Sequence, residues 1–250
     1  MRYLPISYRQ TSISIKMQTK QLPIILNAAW QDFHADQDID RKKNNIFRIN
    51  FEHYYKKSFF QINEILSPQE IKRSRYFLKE HDTRRFISTR LAIRKIISRY
   101  TGAVPQSVIF NQEANKKPSS MGVEFNISHS GHYILIAMSE NPIGIDIEHV
   151  DHPVDVAQLI PYCFDTVEEG FIASSVDEKE SFFALWTRKE ALLKATGEGL
   201  IDNLLEINCL ENTLTRSSRP YRLLTMRIDA DYIFTLATSE DLETVFWNFK

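Results

Sequence analysis

The chain has 250 residues, 43% of them hydrophobic and 25% charged, with a formal net charge of −1. That mix excludes a disordered chain and supplies a core for one large domain or two small ones, while the near-zero charge gives no whole-molecule pull toward a polyanion. Cys163 and Cys209 are far apart, no apolar run is long enough to cross a bilayer, and Leu22–Leu26, interrupted by Pro23, is too short for a signal-peptide core. A disulfide framework and a cysteine zinc site are excluded, and a reducing, cytoplasmic setting without membrane or nucleic-acid partners is expected.

Residues 1–44 read as an N-terminal extension, polar and β-branched at first and charged from Asp36 to Lys43. A flexible arm is one reading; the other is an upstream start, with Met17 as an equally good first residue. The alternation from Phe47 to Phe51 predicts a strand. Ser67-Pro68-Gln69-Glu70 then has the form of a helix start, with serine as cap, proline first in the helix and glutamate third. A helical region follows to about Tyr100, with a break expected near His81-Asp82, and Thr101-Gly102 closes it. Val123–Ile127 and Tyr133–Met138 read as strands around a turn at Ser130-Gly131-His132, and Ile145–Ile147 as another. Glu178–Ala195 predicts a second long helix, stopped at Thr196-Gly197-Glu198-Gly199. Tyr221–Ile228, Tyr232–Ala237 and Val245–Phe249 predict the closing strands.

A faint internal repeat runs through these elements. Phe86-Ile87, Ile96-Ile97 and Gly102 match Phe182-Phe183, Leu192-Leu193 and Gly197 at nearly equal separations, and the strands at Tyr133 and Tyr232 also look alike. Helix-then-strand, twice, implies an α+β fold of two similar halves with the site between them. The expected division is 1–44, 45–141 with a basic helix, and 142–250 with a carboxylate site.

Four patterns carry chemistry. In Gly144-Ile145-Asp146-Ile147-Glu148 the two acids are two apart on a strand, so they share a face while the isoleucines turn to a core. Convergent carboxylates raise each other's pKa unless a cation lies between them, and magnesium takes such hard oxygen ligands. Solvated acids on an exposed strand are the alternative. In Trp186-Thr187-Arg188-Lys189-Glu190-Ala191-Leu192-Leu193-Lys194, Trp186, Glu190 and Lys194 share a helix face. Glu190 can join the strand acids as a third carboxylate; an exposed ion pair is the plain alternative. Ser128-His129, within Asn126-Ile127-Ser128-His129-Ser130, offers a hydroxyl and an imidazole to a phosphate, with no acid spaced to make them a nucleophilic pair. The stretch Lys72–Arg99 is strongly basic, a solvated face or a contact for phosphate or an acidic protein surface.

In their order, Lys117-Pro118, Asn126-Ile-Ser128-His129-Ser, Gly144-Ile-Asp146-Ile-Glu148 and Trp186-Thr-Arg-Lys189-Glu190-Ala-Leu-Leu-Lys194 resemble the surfactin-synthetase-type phosphopantetheinyl transferases. The likeness runs from about Ile46 to the C-terminus and takes in Ser67-Pro68, Arg73 and Arg85. It departs at Lys116, where members often have glycine, and in the N-terminal extension. The resemblance implies two pseudo-symmetric α/β halves with coenzyme A in the cleft between them. It implies Mg2+ held by Asp146, Glu148 and Glu190, and coenzyme A contacts from Arg73, Arg85, Lys117, Pro118, Ser128, His129, Lys189 and Lys194. The catalytic set it implies is Asp146, Glu148, Glu190 and Lys194, with Glu190 as candidate base. The implied reaction moves 4′-phosphopantetheine from coenzyme A to a serine of an apo acyl, polyketide or peptidyl carrier protein, releasing 3′,5′-ADP. Two fused halves suggest a monomer. An inactive coenzyme A-binding regulator, a nucleic-acid binder through the basic helix and a magnesium phosphohydrolase are the rival readings.

Overall fold

The computed structural model of the protein describes residues 25–34, 37–110, 120, 122–151, 153–199 and 204–250. The expectations for Lys116, Lys117 and Pro118, and for most of the N-terminal extension, lie outside the described residues.

The first half starts with strand β3 (Asn44–Asn50), preceded by the short β1 (Leu26–Asn27) and β2 (Trp30–Asp32). Asn50 ends β3 because its side chain accepts from the His53 backbone N–H and caps helix α1 (Phe51–Ser58). After α2 (Ile62–Ile65), helix α3 (Pro68–Ser74) opens on the expected capping box: Ser67 and Glu70 each bond the other's backbone N–H. The long α4 (Glu80–Thr101) closes at Gly102, whose φ of 78° is the left-handed conformation glycine adopts without steric cost. The hairpin β4 (Glu124–Ser130) and β5 (Tyr133–Ser139) completes the half.

The second half repeats the plan. Strand β6 (Ile143–His149) leads to α5 (Val156–Cys163), α6 (Thr166–Ala173) and the long α7 (Glu178–Thr196), which again ends on a left-handed glycine, Gly197. Strands β7 (Thr213–Arg216), β8 (Arg219–Asp229), β9 (Tyr232–Thr238) and β10 (Thr244–Asn248) follow. In each half the opening strand lies antiparallel to the second strand of the hairpin, β3 on β5 and β6 on β9. Among the described residues, no helix is long and apolar enough to cross a membrane.

Two five-stranded sheets result, one ordered β1-β8-β9-β6 with β7 also on β8, the other β2-β10-β3-β5-β4. They pack on a shared core of Ile46, Leu135, Ile143, Ile145, Ile147, Phe234 and Leu236. The isoleucines of β6 thus face the other sheet, as their alternation predicts. Strand β10, from the end of the chain, pairs in parallel with β3 of the first half. The described part of the expected N-terminal extension is also in the sheets: β1 pairs with β8 and β2 with β10.

Two local expectations need correction. The helical break falls between Ser74 and Glu80, before His81-Asp82, because α3 folds alongside α4: Glu70 bonds Arg90, and Arg94 at 2.8 Å. For the same reason the basic stretch is not simply an outward face. Arg94 is buried and donates to the Pro105 and Val108 carbonyls, and the Arg90 guanidinium lies 3.8 Å from the Phe110 ring centroid.

Candidate active site at the seam of the two halves

Strand β6 places alternate residues on two faces. Its isoleucines enter the core, and Gly144, Asp146 and Glu148 turn to α7. Gly144 fixes the approach of that helix: an added Cβ would lie 2.0 Å from the Ala191 carbonyl oxygen and 2.5 Å from the Ala195 nitrogen. With the axis of α7 this close to β6, the Trp186–Glu190–Lys194 face lies over the strand carboxylates. Lys194 Nζ donates to Asp146 Oδ1 at 2.5 Å and to Ser128 Oγ at 3.2 Å.

β6 meets β4 of the other sheet without a backbone ladder. Three alternate side chains of β4 replace it: Asn126 Oδ1 accepts from the Ile145 N–H at 2.9 Å, Ser128 Oγ from Ile147 at 3.4 Å, and Ser130 Oγ from His149 at 3.0 Å. Each serine hydroxyl also donates to a carboxylate, Ser128 to Asp146 Oδ1 at 2.8 Å and Ser130 to Glu148 Oε2 at 3.0 Å. Asn126 and Ser130 were not among the sequence candidates. Their signal was the period-two spacing of polar side chains along a strand, which marks a polar face and leaves its partner unnamed.

The electrostatics are those of an acid cluster short of positive charge. Burial raises the Asp146 pKa against the opposing pull of Lys194. Burial, and then the Asp146 charge, push Glu148 up to about 7. Glu190 is likewise raised by burial and by Asp146. Asp146 Oδ2 and Glu190 Oε1 are buried with no hydrogen-bond partner, although an unpaired carboxylate oxygen is costly in a dry site. Among the described residues, no group of three or more His, Cys, Asp or Glu side chains stands at metal-holding spacing; Asp146 Oδ1 is turned to Lys194. The donor chemistry nonetheless suits a hard divalent cation: carboxylate oxygens on one face, two of them unsatisfied.

The other sequence candidates divide. His129, next to the seam on β4, is held below its ordinary pKa by partial desolvation and then by the Arg85 and Lys194 charges, so both cations act at its position. Arg85 is bonded to Asp82 at 2.7 Å. Arg73 is exposed, its guanidinium 5.6 Å from the Phe86 ring centroid. Ser128 is at the centre, though its hydroxyl is committed to Asp146, Ile147 and Lys194.

Lys189 is not brought to the carboxylates. It is wholly buried, donating to Glu168 Oε2 at 2.7 Å and to the Cys163 and Leu204 carbonyls at 2.8 and 2.9 Å. Those acceptors use all three ammonium hydrogens. Neighbouring Arg188 is also fully buried, and its bonds to the Cys209 and Glu211 carbonyls hold that segment against α7.

Fold and site define an α+β protein of two related halves, with an acidic centre facing a lysine where the halves meet. Residues 142–242 match the family model described as the 4′-phosphopantetheinyl transferase superfamily, and residues 54–141 match that described as 4′-phosphopantetheinyl transferase, N-terminal. The protein belongs to the 4′-phosphopantetheinyl transferase superfamily. Among curated relatives, the 4′-phosphopantetheinyl transferase HetI of Nostoc sp. is 37% identical over 145 residues, covering 54% of this chain and 61% of that protein. Psf-1 of Bacillus pumilus is 33% identical over 123 residues, 48% of this chain and 52% of its own. Sfp of Bacillus subtilis is 30% identical over 139 residues, 54% of this chain and 62% of its own. The chain thus spans less than two thirds of the length of the curated relatives it matches.

Proposed function

We propose that this protein transfers the 4′-phosphopantetheine group of coenzyme A to a serine hydroxyl of an apo carrier protein, releasing 3′,5′-ADP. The observation that carries the reading is the seam cluster: Asp146, bonded to Lys194, lies near enough to Glu148 and Glu190 for its charge to raise both, and one oxygen each of Asp146 and Glu190 is buried without a partner. Family membership and the names of the relatives support the same chemistry.

In this reading Asp146, Glu148 and Glu190 hold Mg2+, which when bound neutralises charge on the pyrophosphate oxygens. The chain's own groups do the rest. Glu190, its basicity raised by burial and by Asp146, takes the proton of the attacking serine. The serine oxygen forms a bond to the phosphorus that carries the pantetheine arm, and the bond from that phosphorus to the nucleotide oxygen breaks. Lys194 faces the negative charge that develops there. His129, Arg85 and Arg73 meet the nucleotide phosphates, and Lys117-Pro118 completes the coenzyme A contacts. Lys189 is assigned to the framework of α7. The two cysteines are free and buried, which fits a reducing cytoplasm, and one chain supplies both halves of the cleft, which fits a monomer.

Intact-mass measurement of an apo carrier protein with this protein, coenzyme A and Mg2+, beside a Glu148→Ala control, tests the reading. Gain of one phosphopantetheine with the wild type alone is expected. Coenzyme A binding without transfer to acyl, polyketide or peptidyl carriers would overturn it in favour of a regulator.

A further inference from the structure

The two sheets meet at β4 and β6, where the carboxylates lie, and the join is made by side chains. In β6 every second N–H points to each side, as in any antiparallel strand. Ile145, Ile147 and His149 point theirs at β4 and find Asn126, Ser128 and Ser130, while Gly144, Asp146 and Glu148 face β9 in the ladder. The period-two spacing of the acceptors matches the rise of β6, so one register satisfies all three. Ser130 does two jobs with one hydroxyl: it accepts from the His149 N–H and donates to Glu148 Oε2. It therefore ties the direction of that carboxylate to the spacing of the halves.

We propose that Asn126 and Ser130 are positioning residues, which splice β6 onto β4 and so set the height and direction of Asp146 and Glu148 toward the cation. The inference deepens the function proposed above and rests on its metal reading. Neither side chain need touch coenzyme A or the transferred group. A shift of β6 by one residue along β4 would strand three amides and turn the acids into the core, so the splice excludes that alternative.

The test uses the full chain with Ser130→Ala, Ser130→Thr and Asn126→Ala, and two readouts. The first is residue-resolved amide exchange by NMR without metal. The second is Mn2+ affinity by calorimetry without substrate. In Ser130→Ala, exchange at His149 should rise about tenfold, the worth of one hydrogen bond, while Gly144, Asp146 and Glu148 keep their rates. Mn2+ affinity should fall about tenfold, as for other groups that orient metal ligands. Ser130→Thr, which keeps the hydroxyl, should restore both, and Asn126→Ala should show the same acceleration at Ile145. Unchanged exchange in both alanine variants would overturn the splice. Faster exchange with wild-type Mn2+ affinity would overturn the positioning role and leave a purely structural join. Failure of the wild type itself to bind Mn2+ would overturn the metal reading beneath the inference, and the metal-free exchange tells that failure apart.

Discussion

Glu148 sits where two demands conflict, and its pKa records the conflict. In the unfolded chain its carboxyl titrates near 4.5; in the fold, burial and the Asp146 charge push it to about 7. Between those values the native state keeps a proton that the unfolded state has released. Stability therefore falls as pH rises through that window, and below it the group costs nothing. For a half-buried group that retains some hydration, the loss at pH 8 is of order 2 kcal/mol. A Glu148→Gln variant removes the charge. Its metal-free form should be about 2 kcal/mol more stable than wild type at pH 8 and equal to it at pH 4 by urea denaturation, and the transfer proposed above should be lost. Equal gains at both pH values would show that the gain comes from packing rather than from relieved charge. The same proton predicts that metal affinity rises with pH up to about neutrality, because ligand and proton compete for one carboxylate.

At the scale of elements, α7 is held from three directions: by Gly144 against β6, by Arg188 against the segment at 209–212, and by Lys189 against α5 and α6. Helical geometry separates its two lysines. Lys194, four residues from Glu190, shares the carboxylate face; Lys189, one residue away, points about 100° round the axis. That angle was legible in the sequence, but the buried partner was not. Glu168 is the third residue of the α6 capping box, and only the packing of α6 on α7 carries it to Lys189. Removing one member leaves the other charge buried and alone, so Lys189→Met should cost about 3–5 kcal/mol in urea unfolding. Lys189→Met with Glu168→Gln, which removes the second charge and keeps an acceptor for the Asp165 and Cys209 N–H groups, should cost clearly less than the sum of the two single changes; an additive double mutant would refute the pairing. The elements that escaped the sequence reading share a cause. Helix α1 is rich in aromatic residues and begins on what reads as the last residue of a strand, and α5 contains Pro161. The α3–α4 break has neither glycine nor proline, being set by Glu70 reaching residues 20 and 24 positions onward. By contrast, the long helices, their glycine stops and the hairpins repeat local signals strong enough to read directly.

At the scale of the whole molecule, the repeat in sequence is a repeat in structure whose copies have exchanged strands. β10 leaves the second half to pair with β3 through five register positions from Thr244 to Asn248, and β1 crosses from the N-terminal side to β8. Trp247 on β10 is buried in the first-half core and donates to Asn45 Oδ1 at 3.0 Å. In the other direction, Tyr232 of β9 packs against the first-half hairpin turn: its hydroxyl accepts from the His132 N–H at 3.0 Å, and a Cβ at Gly131 would collide with it. With contacts running both ways and a core shared between Ile46 and Leu135 of one half and Ile145, Ile147 and Phe234 of the other, opening either half uncovers apolar surface of its partner, so the carboxylate seam is coupled to the fold as a whole. Thermal unfolding should be one transition, with the calorimetric and van't Hoff enthalpies equal and with Trp186 and Trp247 reporting the same midpoint in single-tryptophan variants. Removing residues 242–250 should abolish that cooperativity rather than lower the midpoint by a few degrees, because it uncovers the edge of β3 and empties the Trp247 site together. Two separated transitions in the intact chain would mean that the halves are independent, and that the carboxylates are placed by the second half alone.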